Sequence, residues 1–223
     1  MTKTIVVTGA TGVLGNLVAK TFAERGHNIA LLDKDQTKLD FLVRDLNLPN
    51  ERLYAQTIDL LNDTAVHDSA EAVLSKFGSI HALIHLVGGW TGGKTLPESS
   101  KDDFKSMLNQ HAWTTFHLLQ AFIPQIAKSN WGRVIIVSKP ETVHPSAKTA
   151  LYTAAKSAQE SLVLTLAEEY KESGLTANVI HVKSIDIKNE GRGTSPAEIV
   201  SAMTYLFSDE AGKVNGARIP LYG

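Results

Sequence analysis

Short apolar runs alternate with longer amphipathic stretches along the whole chain, beginning at its fourth residue. The runs around Ile5–Val7, Ile29–Leu32, Ala82–Val87 and Val134–Val137 carry hardly a polar interruption. Such runs mark strands buried on both faces of a covered parallel sheet. Between them apolar residues return at helical spacing: Val13, Leu14, Leu17, Val18 and Phe22 early on, then Phe116, Leu119, Phe122, Ile123 and Ile126. The pattern predicts strands near 3–8, 28–33, 52–57, 80–87, 132–138, 176–182 and 216–221. It predicts helices near 12–25, 35–46, 62–77, 101–128, 148–173 and 195–208. Strict alternation of the two, with no linker, repeat or low-complexity tract, implies one α/β domain over 1–223. The expected architecture is a doubly wound, seven-stranded parallel sheet with helices on both faces. Ligands of such sheets bind at the carboxyl ends of the strands.

The first strand runs straight into glycine. Thr4-Ile-Val-Val-Thr-Gly-Ala-Thr-Gly-Val-Leu-Gly is a strand, a glycine turn and a helix start, the context a dinucleotide fingerprint requires. Glycines let the backbone turn tightly and approach a pyrophosphate, whose charge sits at the helix N-terminus. Gly9, Thr11, Gly12, Val13, Leu14 and Gly15 are therefore the expected cofactor cradle of a Rossmann fold. The second strand ends at Asp33. A carboxylate there accepts hydrogen bonds from ribose hydroxyls and repels a 2′-phosphate, which favours NAD(H) over NADP(H). Lys34 could soften that choice, and Asp33 could instead cap the helix beginning near Gln36.

Tyr152 and Lys156 stand four residues apart in Leu151-Tyr-Thr-Ala-Ala-Lys-Ser. On a helix they share a face. A neighbouring ammonium favours phenolate and is expected to lower the tyrosine pKa, making it a usable acid or base.

Composition narrows the function classes. With 223 residues, 43% of them hydrophobic, the chain can bury a large single core. A formal charge of −1 and no basic run argue against a nucleic-acid surface. The eight histidines lack the tight spacing of a metal site, and the absence of cysteine excludes disulfides and a thiolate nucleophile. No apolar stretch reaches the ~20 residues of a membrane span, and the N-terminal run is too short for a signal peptide. A cytoplasmic protein is the expectation.

Taken together these pieces resemble the short-chain dehydrogenase/reductase family, over essentially the whole chain and in the right order. The resemblance implies a nicotinamide-dependent oxidoreductase acting on a small carbonyl or alcohol, commonly a homodimer or homotetramer. It implies that Asp59 and Leu60 flank the adenine ring and that Val87 and Gly88 follow the fourth strand along the cofactor. It also implies that Asn109 holds a water connecting Lys156 to solvent, while Tyr152 exchanges the proton. Asn109 could equally be an ordinary helix-surface amide.

Departures are as informative. The family places a substrate-orienting serine thirteen residues before the tyrosine; here that position is Lys139, with Ser138 one residue earlier. Neighbouring residues on a strand face opposite ways, so Ser138 needs re-aiming, by Pro140 or Pro145, to serve. Alternatively the Lys139 ammonium donates to the carbonyl oxygen and disfavours oxidised nicotinamide. The family's Asn-Ala-Gly becomes Val87-Gly88-Gly89, its Pro-Gly turn becomes Val182 to Ile187, and its lid shrinks to about Lys188 to Thr194. The segment Leu86-Val-Gly-Gly-Trp-Thr-Gly-Gly, with Ile185-Asp186 and the ending Ile219 to Gly223, resembles the dihydropteridine reductases, which use NADH and lack that serine. There Trp90 would stack on a flat ring. A third reading is a nucleotide-binding scaffold that has lost turnover.

Overall fold

The computed structural model describes residues 1–188 and 190–222. Seven strands, β1 (Thr4–Thr8), β2 (Asn28–Asp33), β3 (Leu53–Thr57), β4 (Ala82–His85), β5 (Gly132–Ser138), β6 (Leu175–His181) and β7 (Arg218–Pro220), form one all-parallel sheet. Its order is β3-β2-β1-β4-β5-β6-β7, so the winding reverses between β1 and β4. A crevice for a ligand opens at that reversal.

The inner strands serve two cores. Along β1, Ile5 and Val7 pack on one face while Val6 packs on the other. In β2 the same alternation sends Ile29 and Leu31 one way and Ala30 and Leu32 the other. The first face is covered by α1 (Val13–Glu24), α2 (Gln36–Leu46) and α7 (Pro196–Phe207), the second by α3 (Asp63–Phe77), α5 (Thr114–Ile126) and α6 (Ala150–Glu169). Phe22 and Phe122, one in each layer, are wholly buried. Each such side chain contributes roughly 1.5–3 kcal/mol of burial. Two-sided covering is the reason the strand sequences read as unbroken apolar runs.

The helix ends follow local chemistry. Asp35 and Asn62 accept amide hydrogen bonds as N-caps of α2 and α3, and Ser195 with Glu198 makes a capping box at α7. Gly78 ends α3 at φ 74°.

One expected helix is broken. The stretch 101–128 divides into α4 (Lys101–Leu108), a π-turn (Asn109–Trp113) and α5. The hydroxyls of Thr114 and Thr115 donate to the carbonyls of Gln110 and His111, four residues back. Such back-bonding competes with the regular ladder, and the amide of Thr114 reaches instead to the carbonyl of Asn109. The extra residue turns the side chains that follow it relative to those of α4.

Candidate active site

The glycine turn is built by exclusion. Gly9 has φ 67°, and a Cβ there would lie 3.0 Å from the backbone at Leu86 and Val87. At Gly15 a Cβ would stand 2.2 Å from the Gly9 carbonyl oxygen, which no side chain tolerates. The helix α1 opens at Gly12 without a side-chain cap or an acid in its first turn, leaving its amides and its positive end bare. Asp33 is tied to this turn: its carboxylate accepts from the Thr11 amide at 2.9 Å and from the Asp35 amide at 3.1 Å. The cap of α2 falls to Asp35, whose carboxylate accepts from the Lys38 amide.

Two cavities meet at the crest, sharing Gly9, Gly12, Leu86, Val87 and Gly88. The smaller, about 380 Å³, also carries Asp33, Lys34, Asp59, Leu60 and Asn109. The larger, about 710 Å³, carries Val13, Leu14, Gly15, Trp90, His111, Ser138, Lys139, Tyr152 and Lys156. Thr11 lies on neither wall; its amide is the anchor to Asp33.

Tyr152 and Lys156 lie on α6, both buried, at the wall of the larger cavity. The Lys156 ammonium donates to the Val137 carbonyl and to Gln159 Oε1, both at 2.8 Å. Gln159 in turn donates to the Thr115 hydroxyl. Burial pulls the Lys156 pKa down to about 7, partly opposed by the Glu160 carboxylate. The expectation for the tyrosine is not met in the protein alone: burial pushes the Tyr152 phenol up, and Glu141 and Glu160 push the same way. A cation brought low by its own desolvation does not reverse that direction.

The π-turn decides what else reaches this pair. Asn109 lines the smaller cavity with Asp33 and Leu60, whereas His111 lines the larger one. The His111 ring stands edge-on to Tyr152, centroids 5.3 Å apart, and its Nε2 bonds the Gly89 carbonyl at 2.9 Å. Burial first, then the Lys156 charge, hold its pKa to about 3. Sequence reasoning missed His111, because an uninterrupted helix gives no reason to favour it over its neighbours. A Thr-Thr pair inside a long apolar helix was the available signal.

Ser138 and Lys139 divide as their strand positions require. The Ser138 hydroxyl is buried beside Glu160, without a hydrogen bond of regular geometry. Burial would raise the Glu160 pKa, but hydrogen bonding from His181, Ser138, Arg218 and Thr142 brings it to about 2. Lys139 turns the other way: its Nζ lies 5.8 Å from the Tyr152 ring centroid and 3.6 Å from Glu141. The short segment after β6 is cross-braced, since Asp186 accepts the amides of Glu190, Gly191 and Arg192. Trp90 and Ile187 stand well exposed at the cavity mouth, at 59% and 61%. Asn189 and Gly223, part of the lid and C-terminal readings, lie outside the described residues.

Among the described residues, no helix is long and apolar enough to cross a membrane. The chain is similar to known dehydrogenases along most of its length. The chain is 26% identical to a meso-2,3-butanediol dehydrogenase of Serratia marcescens, covering 99% of this chain and 93% of that one. It is 25% identical to a D-beta-hydroxybutyrate dehydrogenase of Rhizobium meliloti, covering 100% and 98%. Its fold matches that of a short chain dehydrogenase from Bacillus anthracis with a TM-score of 0.90, at 23% identity over 99% and 95% of the two chains. Residues 3–192 match the model of the short chain dehydrogenase family. The chain therefore belongs to the short-chain dehydrogenase/reductase family of oxidoreductases.

Proposed function

We propose that this protein is an NAD(H)-dependent oxidoreductase that exchanges hydride between nicotinamide and a small carbonyl or alcohol, working toward the alcohol. The observation that carries the reading is Tyr152 beside Lys156 in the wall of a cavity continuous with the glycine cradle. The crevice suits a dinucleotide. Gly9 and Gly15 permit the tight turn that no side chain would fit, and the uncapped α1 offers its amides to a pyrophosphate. Asp33 would take the adenosine ribose hydroxyls and disfavour a 2′-phosphate, with Asp59 and Leu60 beside the adenine. When bound, the nicotinamide supplies the hydride.

The protein's own part is proton transfer and charge placement. Tyr152 donates its hydroxyl proton to the carbonyl oxygen as that oxygen gains negative charge. Burial keeps the phenol protonated, the form that donates in the reducing direction. Lys139 fills the role left by the buried Ser138: its ammonium, 5.8 Å from the Tyr152 ring centroid, donates to the same oxygen. The names of the two dehydrogenase relatives support a small hydroxy compound as product. Exposed Trp113 and Phe116 beside and on α5 support a homodimer or homotetramer. A pteridine-type substrate is the second reading, favoured by the half-exposed Trp90 ring on the cavity wall.

A panel of small ketones, oxo acids and a quinonoid dihydropteridine, assayed with NADH, tests both. Tyr152→Phe should abolish reduction and leave NADH affinity within about twofold. Lys139→Ala should lower kcat by about 10²–10³, as loss of an oxyanion donor does. NADH binding with no Tyr152-dependent turnover on any substrate would favour the scaffold reading instead.

A further inference from the structure

We propose that Glu160 is a positioning residue for Lys139: its carboxylate holds both ends of the turn from Ser138 to Thr142 and so keeps the Lys139 ammonium over the Tyr152 ring. Glu160 follows Lys156 by one helical turn on α6 and is wholly buried. Its Oε1 accepts from His181 Nε2 on β6 at 2.9 Å, and its Oε2 accepts from Arg218 Nε on β7 at 2.7 Å. The carboxylate is thus fixed from two strands of the sheet and not from its own helix.

Stability alone does not call for such a group. Burying a carboxylate is expensive, and packed apolar side chains of similar volume stabilise such a place as well or better. An anion kept there points to a task of placement, and its neighbours show which. Ser138 and Thr142, on either side of Lys139, set their hydroxyls against this one carboxylate. Thr142 also closes the turn that carries the lysine: its hydroxyl and its amide donate to the Lys139 carbonyl at 2.8 and 3.2 Å. The Ser138 carbonyl accepts the Val182 amide at 3.0 Å, which ties the other end to the segment after β6.

Lys139 is extended, at φ −133° and ψ 151°. Neighbouring extended residues face opposite ways, so holding Ser138 on the Glu160 side sends Lys139 to the other. There its Nζ lies 5.8 Å from the Tyr152 ring centroid. Glu141, 3.6 Å from the same Nζ, belongs to the turn and moves with it. Lys156 is held separately, by Val137 and Gln159, and loses neither bond when Glu160 is replaced.

The test uses the full protein and two readouts. The first needs no cofactor. With ¹³C-lysine and labelled tyrosine, a nuclear Overhauser contact should join the Lys139 side chain to the Tyr152 ring, and Glu160→Leu should abolish it. The second rests on the proposed reduction. Glu160→Leu should lower kcat about tenfold with NADH affinity within about twofold, since a displaced donor costs rate more than binding. Added to Lys139→Ala, the same change should lower kcat no further than about twofold, because its effect travels through the missing ammonium. A loss carried by Lys156 or by the fold as a whole would appear equally in both backgrounds and overturn the assignment. So would a contact that persists in Glu160→Leu or is absent from the wild type. Should Glu160→Leu fail to fold, Thr142→Val, which removes one hydroxyl and keeps the side-chain shape, decides by the same comparisons, with a several-fold loss expected only where Lys139 is present. Turnover that ignores Lys139→Ala would sink the role given to that ammonium in the reduction, and the contact with Tyr152 would still judge Glu160.

Discussion

His85 and His111 are buried as neutral rings, and acidification should therefore unfold this protein earlier than its carboxylates alone require. Each ring has its pKa lowered from 6.5 to about 3, by burial first and then by the Lys156 charge. The sign follows from the unfolded chain, which binds a proton at each histidine near pH 6.5 while the folded chain does not. Stability is full above pH 6.5 and drains away as pH falls toward 3. At pH 5 the gap between unfolded pKa and solution is 1.5, which at 1.36 kcal/mol per pH unit costs about 2 kcal/mol per ring. The pair together should cost about 4 kcal/mol, a large share of an ordinary domain's stability. His81, lowered to about 4, acts in the same direction, whereas Glu160, held to about 2, titrates below this window. Urea unfolding at pH 8, 6.5 and 5, at one protein concentration, measures the slope. His85→Asn keeps an acceptor near the Thr8 hydroxyl and removes one titration, so its loss between pH 8 and 5 should shrink by about 2 kcal/mol. Equal unfolding free energies at pH 8 and pH 5 would refute the reasoning.

Two further outcomes concern the cofactor cleft. Asp33→Ala removes a ribose acceptor and releases the Thr11 amide, so NADH affinity measured by fluorescence should fall about 10- to 100-fold, with NADPH losing less or gaining. Unchanged NADH-to-NADPH preference would place the ribose elsewhere. Gly15→Ala forces a methyl against the Gly9 carbonyl at 2.2 Å; it should cost about 1–3 kcal/mol in thermal unfolding and most of the NADH binding.

Strand and helix positions were legible because each has a local cause. The expected β2 and β5 match the observed strands, and the other strands differ from expectation by at most two residues at either end. Tyr152, Lys156, the glycines and Asp33 come together at the crest for the same reason: helical spacing and strand ends place them without knowledge of distant contacts. His111 and the electrostatics were not legible. Two threonine hydroxyls bond back along the chain at the π-turn, and a periodicity reading that assumes 3.6 residues per turn passes over it. The Tyr152 pKa was read with the wrong sign because spacing reports the nearby cation but not the burial that opposes it.

The order of apolar and polar residues by itself determined a parallel sheet covered on both faces, a glycine cradle at its first turn and a phenol–ammonium pair on one helix. These rest on the one- to four-residue periodicities of strands, turns and helices, which any reader of the chain possesses. Only the tertiary structure decided that the Ser138 hydroxyl lies beside a buried carboxylate while the Lys139 ammonium lies over the Tyr152 ring, and that His111 rather than Asn109 reaches Tyr152. Desolvation and contacts between residues tens of positions apart set those outcomes, and neither is a property of any short stretch of sequence.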